Sequence, residues 1–298
     1  MKVLFIKKKY IYYLFIVLLS IIVFYFSTVK NNNKSLYSFN PIDKNSFADI
    51  NCDGIKDNIN ISHNNIIVDI NNEKYILKNY IENNSISDST ESWPVKVFLF
   101  NISRSNKPEI IIQNKNKDKA SVSILSYTNE NVINLYSESK NIFGILDSKS
   151  GKNPRCFALN SYIGINSLNS FMIINNEVLD ITEDSKDIPG LSNILEFINL
   201  IEKNYEIDDT PNIFTENIPS KELGILWNLD KENYNYSFQD CFFIDNTYDT
   251  DGNITSLTWR FTFESLNKTN DYKKEFVIYL TSEISYDKTY KISSIYTS

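Results

Sequence analysis

The chain is patterned mainly by short runs of β-forming residues that Asn, Asp and Ser clusters separate. Runs of strand length bounded by turn residues predict a sheet-rich architecture, such as a sandwich or a propeller. The first part of the chain contains nine of these runs: Asn58–Ile61, Ile66–Ile70, Tyr75–Leu77, Val95–Phe100, Ile110–Gln113, Ser121–Tyr127, Phe157–Tyr162, Phe171–Ile174 and Val178–Ile181. The C-terminal part contains four more: Tyr236–Ile244, Ile254–Glu264, Phe276–Thr281 and Tyr290–Tyr296.

Two segments between these groups of runs have a helical pattern instead. Leu191–Tyr205 follows a Pro-Gly break and places its apolar residues on one helical face. Ser220–Leu229 begins directly after a proline, which favours a helix start. Ser192 and Ser220 are the candidate N-caps. The pattern therefore predicts a mainly β fold with a helical insert, of the α+β class.

Residues 10–29 form one apolar segment with no charge, Pro or Gly. At about 1.5 Å per residue, a helix of this length spans roughly 30 Å, the thickness of the bilayer hydrocarbon. Lys7, Lys8 and Lys9 precede the segment, and such a basic cluster stays in the cytoplasm while the rest of the chain is exported. We therefore expect a single-pass signal anchor in the cell membrane, with the C-terminal body extracellular.

A cleaved signal peptide and a buried core helix are the alternatives for this segment. A signal peptide has an apolar core of about 7–15 residues and a small-residue cleavage site. This core is longer, and Phe26–Val29 contains no such site. With an anchor, the chain comprises a cytoplasmic basic tail (1–9), the transmembrane helix (10–29), a spacer (30–45), a β-rich repeat region (46–185) and a helical insert with a C-terminal β region (186–298).

The formal net charge of −7 is unevenly distributed. The first thirty residues contain five basic and no acidic residues, so residues 31–298 carry 25 basic and 37 acidic residues, a net charge of −12. Because such an acidic body repels phosphate backbones, nucleic acid is not an expected partner. The chain also contains 41 Asn but seven Gly. Its turns must therefore use Asn or Asp, which tolerate left-handed backbone geometry.

Cysteine and histidine are too few for several kinds of site. Cys52, Cys156 and Cys241 show no C-x-x-C spacing, which argues against cysteine zinc sites and thioredoxin-like chemistry. Their odd number implies at least one free thiol or an intermolecular bridge. The single histidine, His63, lies in a polar turn with no sign of an activated nucleophile nearby.

The sharpest motif is the nine-residue segment DINCDGIKD. Oxygen donors stand at its positions 1, 3, 5 and 9, which are Asp49, Asn51, Asp53 and Asp57, and a glycine stands at position 6. This spacing can wrap a loop round a hard cation, and the glycine permits the sharp bend. The carbonyl of Ile55 and a water can complete the ligands of one Ca²⁺. The motif therefore predicts a structural calcium site.

An EF-hand is not expected at this motif, because position 12 is Asn60 rather than Glu and the following residues are strand-like. A metal-free turn between two strands is the open alternative, since Asn and Asp form such turns unaided.

Fifty-two residues later the same outline recurs between Asn101 and Glu109. Ser103 and Ser105 replace two donors and only Glu109 keeps an acidic charge, so we expect the loop shape without useful metal affinity. A further cluster at Thr247–Thr255 lacks carboxylates at positions 1 and 9, and a hairpin turn at its Asp-Gly pair explains it better.

The two copies, FADINCDGIKDNINI and LFNISRSNKPEIII, resemble FG-GAP/VCBS-type repeats of integrin-like β-propellers over residues 45–130. With the apolar N-terminus, the PGLS helix start and the LWNL segment, the chain looks similar to membrane-anchored VCBS repeat-containing proteins of clostridia. The resemblance implies partial or irregular propeller-like repeats, with Asp49, Asn51, Asp53 and Asp57 as calcium ligands. It implies an adhesive or ligand-binding module and no reaction.

We therefore expect a calcium-binding extracytoplasmic protein that acts as a non-enzymatic surface interaction or adhesion-type module on an extracellular protein or polysaccharide. The alternative is an extracytoplasmic carboxylate-based hydrolase of cell-wall polysaccharide, because a catalytic carboxylate pair needs a separation that sequence does not measure. A cleft that collects carboxyls of raised pKa would favour the hydrolase. A loop-lined face around the calcium would favour binding.

Overall fold

Sixteen β-strands and two α-helices form most of the regular structure of the residues that the computed structural model describes, namely Lys9 and residues 39–62, 65–81, 86, 89–147, 153–203 and 211–297. The strands form three sheets, two with four strands and one with eight. The predicted mainly β class with a helical insert is confirmed. No helix among the described residues is long and apolar enough to cross a membrane, and residues 10–29, where the anchor is predicted, lie outside them.

Each four-stranded sheet is an antiparallel meander whose spatial order follows the chain. The first contains β1 (Asn45–Ala48), β2 (Asp57–Ser62), β3 (Asn65–Ile70) and β4 (Glu73–Ile76). A short 3₁₀ helix, Leu77–Tyr80, follows it. The second sheet contains β5 (Lys96–Phe100), β6 (Glu109–Asn116), β7 (Lys119–Thr128) and β8 (Asn131–Glu138).

The eight-stranded sheet joins two further meanders through one parallel pair, β9 with β13. Its strands are β9 (Ile142–Leu146), β10 (Arg155–Asn160), β11 (Gly164–Ile174), β12 (Glu177–Asp180), β13 (Tyr234–Tyr248), β14 (Ile254–Asn267), β15 (Lys273–Ile284) and β16 (Tyr290–Thr297). The sheet therefore contains strands from both sides of the predicted boundary at 185/186. Gly144 permits the parallel pair, since a Cβ there would lie 2.3 Å from the ring of Phe243 opposite it.

Asparagine supplies many of the tight turns, as its abundance predicts. The β3–β4 hairpin turns at Asn71 and Asn72, and the β11–β12 hairpin turns at Asn175 and Asn176. All four residues have positive φ. Two-residue hairpins favour turns with both central residues left-handed, and Asn tolerates this geometry better than other residues with a Cβ.

The helices α1 (Leu191–Glu202) and α2 (Ser220–Trp227) cover the eight-stranded sheet. The apolar face of α1 is buried, and Phe197 packs on Phe261 of β14 with ring centroids 5.5 Å apart. Burial of a side chain of this size stabilises the fold by about 1.5–3 kcal/mol. The predicted Ser192 and Ser220 caps are wrong, because Gly190 and Pro219 occupy the N-cap positions.

A buried ionic cluster joins the second sheet to the eight-stranded sheet. Lys96 of β5 lies 2.8 Å from the carboxylate of Asp240 on β13, and both side chains are 2% exposed. Glu275 of β15 lies 3.7 Å from Lys96 and 3.8 Å from Arg260 of β14. The cluster therefore contains two basic and two acidic side chains, and its formal net charge is zero.

Candidate metal centre

The predicted calcium motif forms the loop between β1 and β2. Ala48 and Asp57 are paired across its mouth, so the two ends of the motif are held by the sheet. Inside the loop Cys52 and Gly54 have φ of 60° and 89°. Glycine suits the second of these positions, because the left-handed region is costly for a residue with a Cβ.

The first three predicted donors converge on the backbone of the loop. Asp49 Oδ1 accepts a hydrogen bond from the Asp53 amide at 3.1 Å, and its Oδ2 accepts one from the Gly54 amide at 3.0 Å. Asn51 Oδ1 also accepts from the Asp53 amide, and its Nδ2 donates to Asp53 Oδ2 at 2.8 Å. Asp53 Oδ1 accepts from the Ile55 amide at 2.7 Å. The three side chains therefore lie in one place.

The fourth donor, Asp57, closes the loop from the inside. Its buried carboxylate accepts a hydrogen bond from the Ile50 amide at 2.7 Å. Burial raises the pKa of the Asp57 carboxyl; the amides of Ile50 and Asn51 oppose the rise, and the charges of Asp53 and Asp49 add to it. Ionisation of Asp57 is therefore costly unless a positive charge lies nearby.

The donor chemistry of the loop fits a hard divalent cation. A carboxylate oxygen has two lone pairs, so one that accepts an amide proton can still bind a cation. Among the described residues, however, no group of three or more His, Cys, Asp or Glu side chains is arranged to hold a metal. The oxygens of Asp49, Asn51, Asp53 and Asp57 point towards the amides of their own loop. This geometry also agrees with the alternative of a metal-free turn.

The segment from Asn101 to Glu109 has the expected loop shape. It connects β5 to β6, and Phe100 pairs with Glu109 across its mouth. Arg104 and Asn106, at positions 4 and 6, have φ of 59° and 70°. Glu109, at position 9, accepts the amide of Ile102 at 2.7 Å, as Asp57 accepts that of Ile50 in the first loop.

Hydroxyl groups fill the interior of this second loop. Ser103 Oγ donates to Glu109 Oε1 at 2.5 Å, the Ser103 amide donates to Glu109 Oε2 at 3.2 Å, and a contact of 2.9 Å joins Ser103 Oγ to Ser105 Oγ. These contacts supply the carboxylate with hydrogen-bond donors without a metal. The absence of useful metal affinity in this loop stays a prediction.

The burial of the Glu109 carboxyl can be tested through the pH dependence of the free energy of unfolding. Burial raises the pKa of its carboxyl, against the lowering effect of the Ser103 and Ile102 donors. A pKa raised by folding contributes stability that is full below the unfolded value, near pH 4.5, and is lost as pH rises through the folded pKa. Glu109→Gln cannot ionise, and its amide can keep the same partners. We expect its free energy of unfolding, relative to wild type, to increase from about pH 4 to about pH 8.

Urea unfolding in EDTA at several pH values measures this difference. Glu196→Gln, at an exposed position of α1, is the control for removing one carboxylate. A relative stability of Glu109→Gln that falls with rising pH would contradict the assignment.

The connection between β9 and β10 stands at the same place in its meander as the first two loops, and the sequence motifs do not predict it. Leu146 pairs with Arg155 across its mouth, and Asp147 and Arg155 stand eight residues apart, as Asp49 and Asp57 do. Residues 148–152 lie outside the described residues. The signal was weak, because position 9 is basic here and the spacing from the second copy is 46 rather than 52 residues.

The first two loops and Asp147 lie side by side at one end of the sheets. Cys52 Sγ of the first loop donates to the carbonyl of Asn106 in the second at 2.8 Å. Arg104 of the second loop donates through Nη2 to both carboxylate oxygens of Asp147, at 2.5 and 2.6 Å. Tyr248, at the end of β13, donates to the Asp147 carbonyl at 2.8 Å. We refer to this end, formed by residues 49–57, 101–109 and 147 with the β13–β14 turn, as the loop face.

The Thr247–Thr255 cluster is a hairpin turn, as expected. Asp249 Oδ1 accepts the amides of Asp251 at 2.9 Å and Asn253 at 2.8 Å, and Gly252 has φ of 86°. Asp249 Oδ2 accepts from the Asn253 side chain. The Asp249 carboxylate is thus hydrogen-bonded by N–H groups of its own turn.

Burial is the main cause of the raised pKa of the carboxyls of Asp57, Glu109 and Asp245. None of these three carboxyls lines the three cavities that contain Trp93, Tyr234 and Pro94, respectively. The hydrolase alternative stays a prediction. His63 lies outside the described residues, and the three cysteines are free thiols.

Comparison with known proteins finds no matching family model, no matching curated protein and no matching solved structure. The resemblance to FG-GAP/VCBS repeats therefore stays a prediction that rests on the residues of the first two loops.

Proposed function

We propose that the protein is a membrane-anchored, extracytoplasmic calcium-binding protein whose loop face is a non-enzymatic interaction surface. The observation that carries the proposal is the convergence of Asp49, Asn51 and Asp53 in one loop that the buried Asp57 closes. The membrane part rests on the sequence of residues 1–29 alone. The proposed partner is an extracellular protein or polysaccharide.

The residues that would hold Ca²⁺ are Asp49, Asn51, Asp53 and Asp57, with the carbonyl of Ile55. A bound Ca²⁺ would supply positive charge that offsets the repulsion between three carboxylates and favours the ionised form of Asp57. The chain itself contributes the left-handed bend and the strand pairing that hold these donors at fixed spacing.

One observation supports an interaction surface at this end, and another supports the repeat architecture. Phe47 and Ile55, which flank or belong to the first loop, are large apolar side chains that are 64% and 68% exposed. Three successive four-stranded meanders, β1–β4, β5–β8 and β9–β12, follow one another in the chain, which supports the proposed propeller-like repeat. Exposed apolar groups surrounded by polar loops are a common feature of binding surfaces.

Calcium titration calorimetry on the full chain, in detergent, tests the metal proposal. We expect one Ca²⁺ per chain for wild type and no saturable heat for Asp53→Ala. Asp251→Ala, in the hairpin turn on the same face, is the matched control and should bind as wild type does. Wild type that gives no saturable heat, or an Asp53→Ala variant that binds normally, would show that the loop is a metal-free turn.

A further inference from the structure

A concave cavity of about 280 Å³ lies at the opposite end of the strands from the loop face. β10 runs from Arg155 at the loop face to Asn160 at the cavity, and β9 begins directly after Asn141, which also lines it. Segments of the second sheet, the eight-stranded sheet and α1 all contribute to the lining. A site built from so many segments is shaped by the fold rather than by one mobile loop.

Trp93 forms a fixed aromatic wall of this cavity. Its indole Nε1 donates to Asp240 Oδ2 at 3.0 Å, the same oxygen that Lys96 contacts, so the buried ionic cluster sets the orientation of the ring. Phe238 is a second aromatic residue in the lining. A ring that is already oriented loses little conformational entropy when a ligand stacks on it.

Tyr162 places a third aromatic ring in the cavity lining, and its side chain is 74% exposed. Ile163 and Ile165 beside it in the sequence are each 47% exposed. The core therefore uses little of the Tyr162 side chain. Its phenol combines an apolar ring with a polar hydroxyl, as suits a ligand with both characters.

The polar groups of the cavity are pre-organised and mostly uncharged. Asn141 Nδ2 donates to Ser161 Oγ at 2.9 Å, and the Ser161 amide donates back to Asn141 Oδ1 at 2.8 Å. Glu202 Oε1 accepts the Phe238 amide at 2.7 Å. The buried Gln239 donates through Nε2 to the Ser92 carbonyl, while its Oε1 has no partner among the described residues.

The charge of the lining opposes strongly charged ligands. Asp118 and Glu202 are its acidic residues and Lys119 is its basic residue. Lys115 lies outside the lining, with its Nζ 5.9 Å from the centroid of the Trp93 ring. Even with Lys115, the described cations around the cavity do not outnumber the two acidic residues. The combination of oriented aromatic rings with amides, hydroxyls and one fixed carboxylate suits a ligand that has many hydroxyls and apolar ring faces.

We propose that this cavity binds a neutral saccharide, as one or two sugar rings of a glycan. The volume is close to the lower end of the range of about 300–1,000 Å³ for ligand sites, which suits a ligand of this size. Sugar C–H faces stack on Trp93 and Tyr162, and sugar hydroxyls bond to Asn141, Asn160 and Glu202. The inference does not depend on calcium, since the cavity lies away from the loop face.

Tryptophan fluorescence of the full chain tests the proposal, in a detergent without a sugar headgroup. The probes are four neutral disaccharides: chitobiose, cellobiose, maltose and lactose. Trp93 lines the cavity, whereas Trp259 is fully buried and Trp227 lies on α2. We expect at least one probe to give a saturable change that Trp93→Phe removes, in Ca²⁺ and in EDTA alike.

Variants of exposed tyrosines locate the binding. Tyr162→Ala should weaken affinity about three- to tenfold, the effect of losing one aromatic stacking contact. Tyr286→Ala, at a fully exposed position outside the lining, is the control and should bind as wild type does. No saturable change with any of the four probes, or equal affinity of Tyr162→Ala and wild type, overturns the proposal. Loss of sugar binding in EDTA alone would overturn its independence from calcium.

Discussion

Replacing Lys96 with methionine is expected to lower the free energy of unfolding by about 3–5 kcal/mol. Lys96 and Asp240 are almost completely buried, and the ammonium is 2.8 Å from the carboxylate. Without the ammonium, the Asp240 carboxylate loses its ion pair and keeps the indole N–H of Trp93 as a hydrogen-bond donor. A buried carboxylate that has lost its counter-ion destabilises the folded state by far more than the intact ion pair stabilises it.

Urea unfolding of the full chain measures this effect. The matched control is Lys273→Met, since Lys273 lies 2.8 Å from Glu264 but is 53% exposed. An exposed pair contributes about 0–1 kcal/mol, so this variant should remain close to wild type. A Lys96→Met variant as stable as Lys273→Met would show that the cluster is not a major element of stability.

Replacing Asp57 with alanine should destabilise the protein both with and without calcium. In EDTA the loss is expected to be about 1–3 kcal/mol, because the amide of Ile50 is left without an acceptor. Asp53 is exposed, and Asp53→Ala should stay within about 0.5 kcal/mol of wild type in EDTA.

Calcium separates both variants from wild type. At a free Ca²⁺ concentration about 100-fold above the dissociation constant, wild type should gain about 2.7 kcal/mol. Neither variant should gain this amount, because each lacks a proposed ligand. The measurement is urea unfolding in Ca²⁺ and in EDTA. An Asp53→Ala variant that gains as much as wild type contradicts the metal site, whereas Asp57→Ala with wild-type stability in EDTA contradicts the loop-closing role.

The first two loops are held by different chemistry. The first contains oxygen donors that suit a cation, and the second has Ser103 and Glu109 bonded to each other. Asp147, which follows the first strand of the third meander, is joined to the second loop through Arg104. This variation is consistent with one proposed metal site on the loop face.

Local patterns predicted most strands and both helices. The Asn turns, the amphipathic face of Leu191–Glu202 and the left-handed bend at Gly54 depend on neighbours in the chain, so short-range rules suffice. Three strands were missed. β1 is four residues long and begins with two polar residues, β8 is interrupted by polar residues, and β9 contains a glycine. These strands form because neighbouring strands pair with them.

The sequence by itself determined the spacing of the oxygen donors, the repeat of the first two loops and the α+β class. The tertiary structure decided which distant groups meet. Pairing of β9 with β13 and the contact of Lys96 with Asp240 each join residues about a hundred or more positions apart. So does the contact of Trp93 with Asp240, which shapes the cavity wall. Such contacts depend on the order of strands in the sheet and on which groups are buried together. The periodicity of residues along the chain predicts neither.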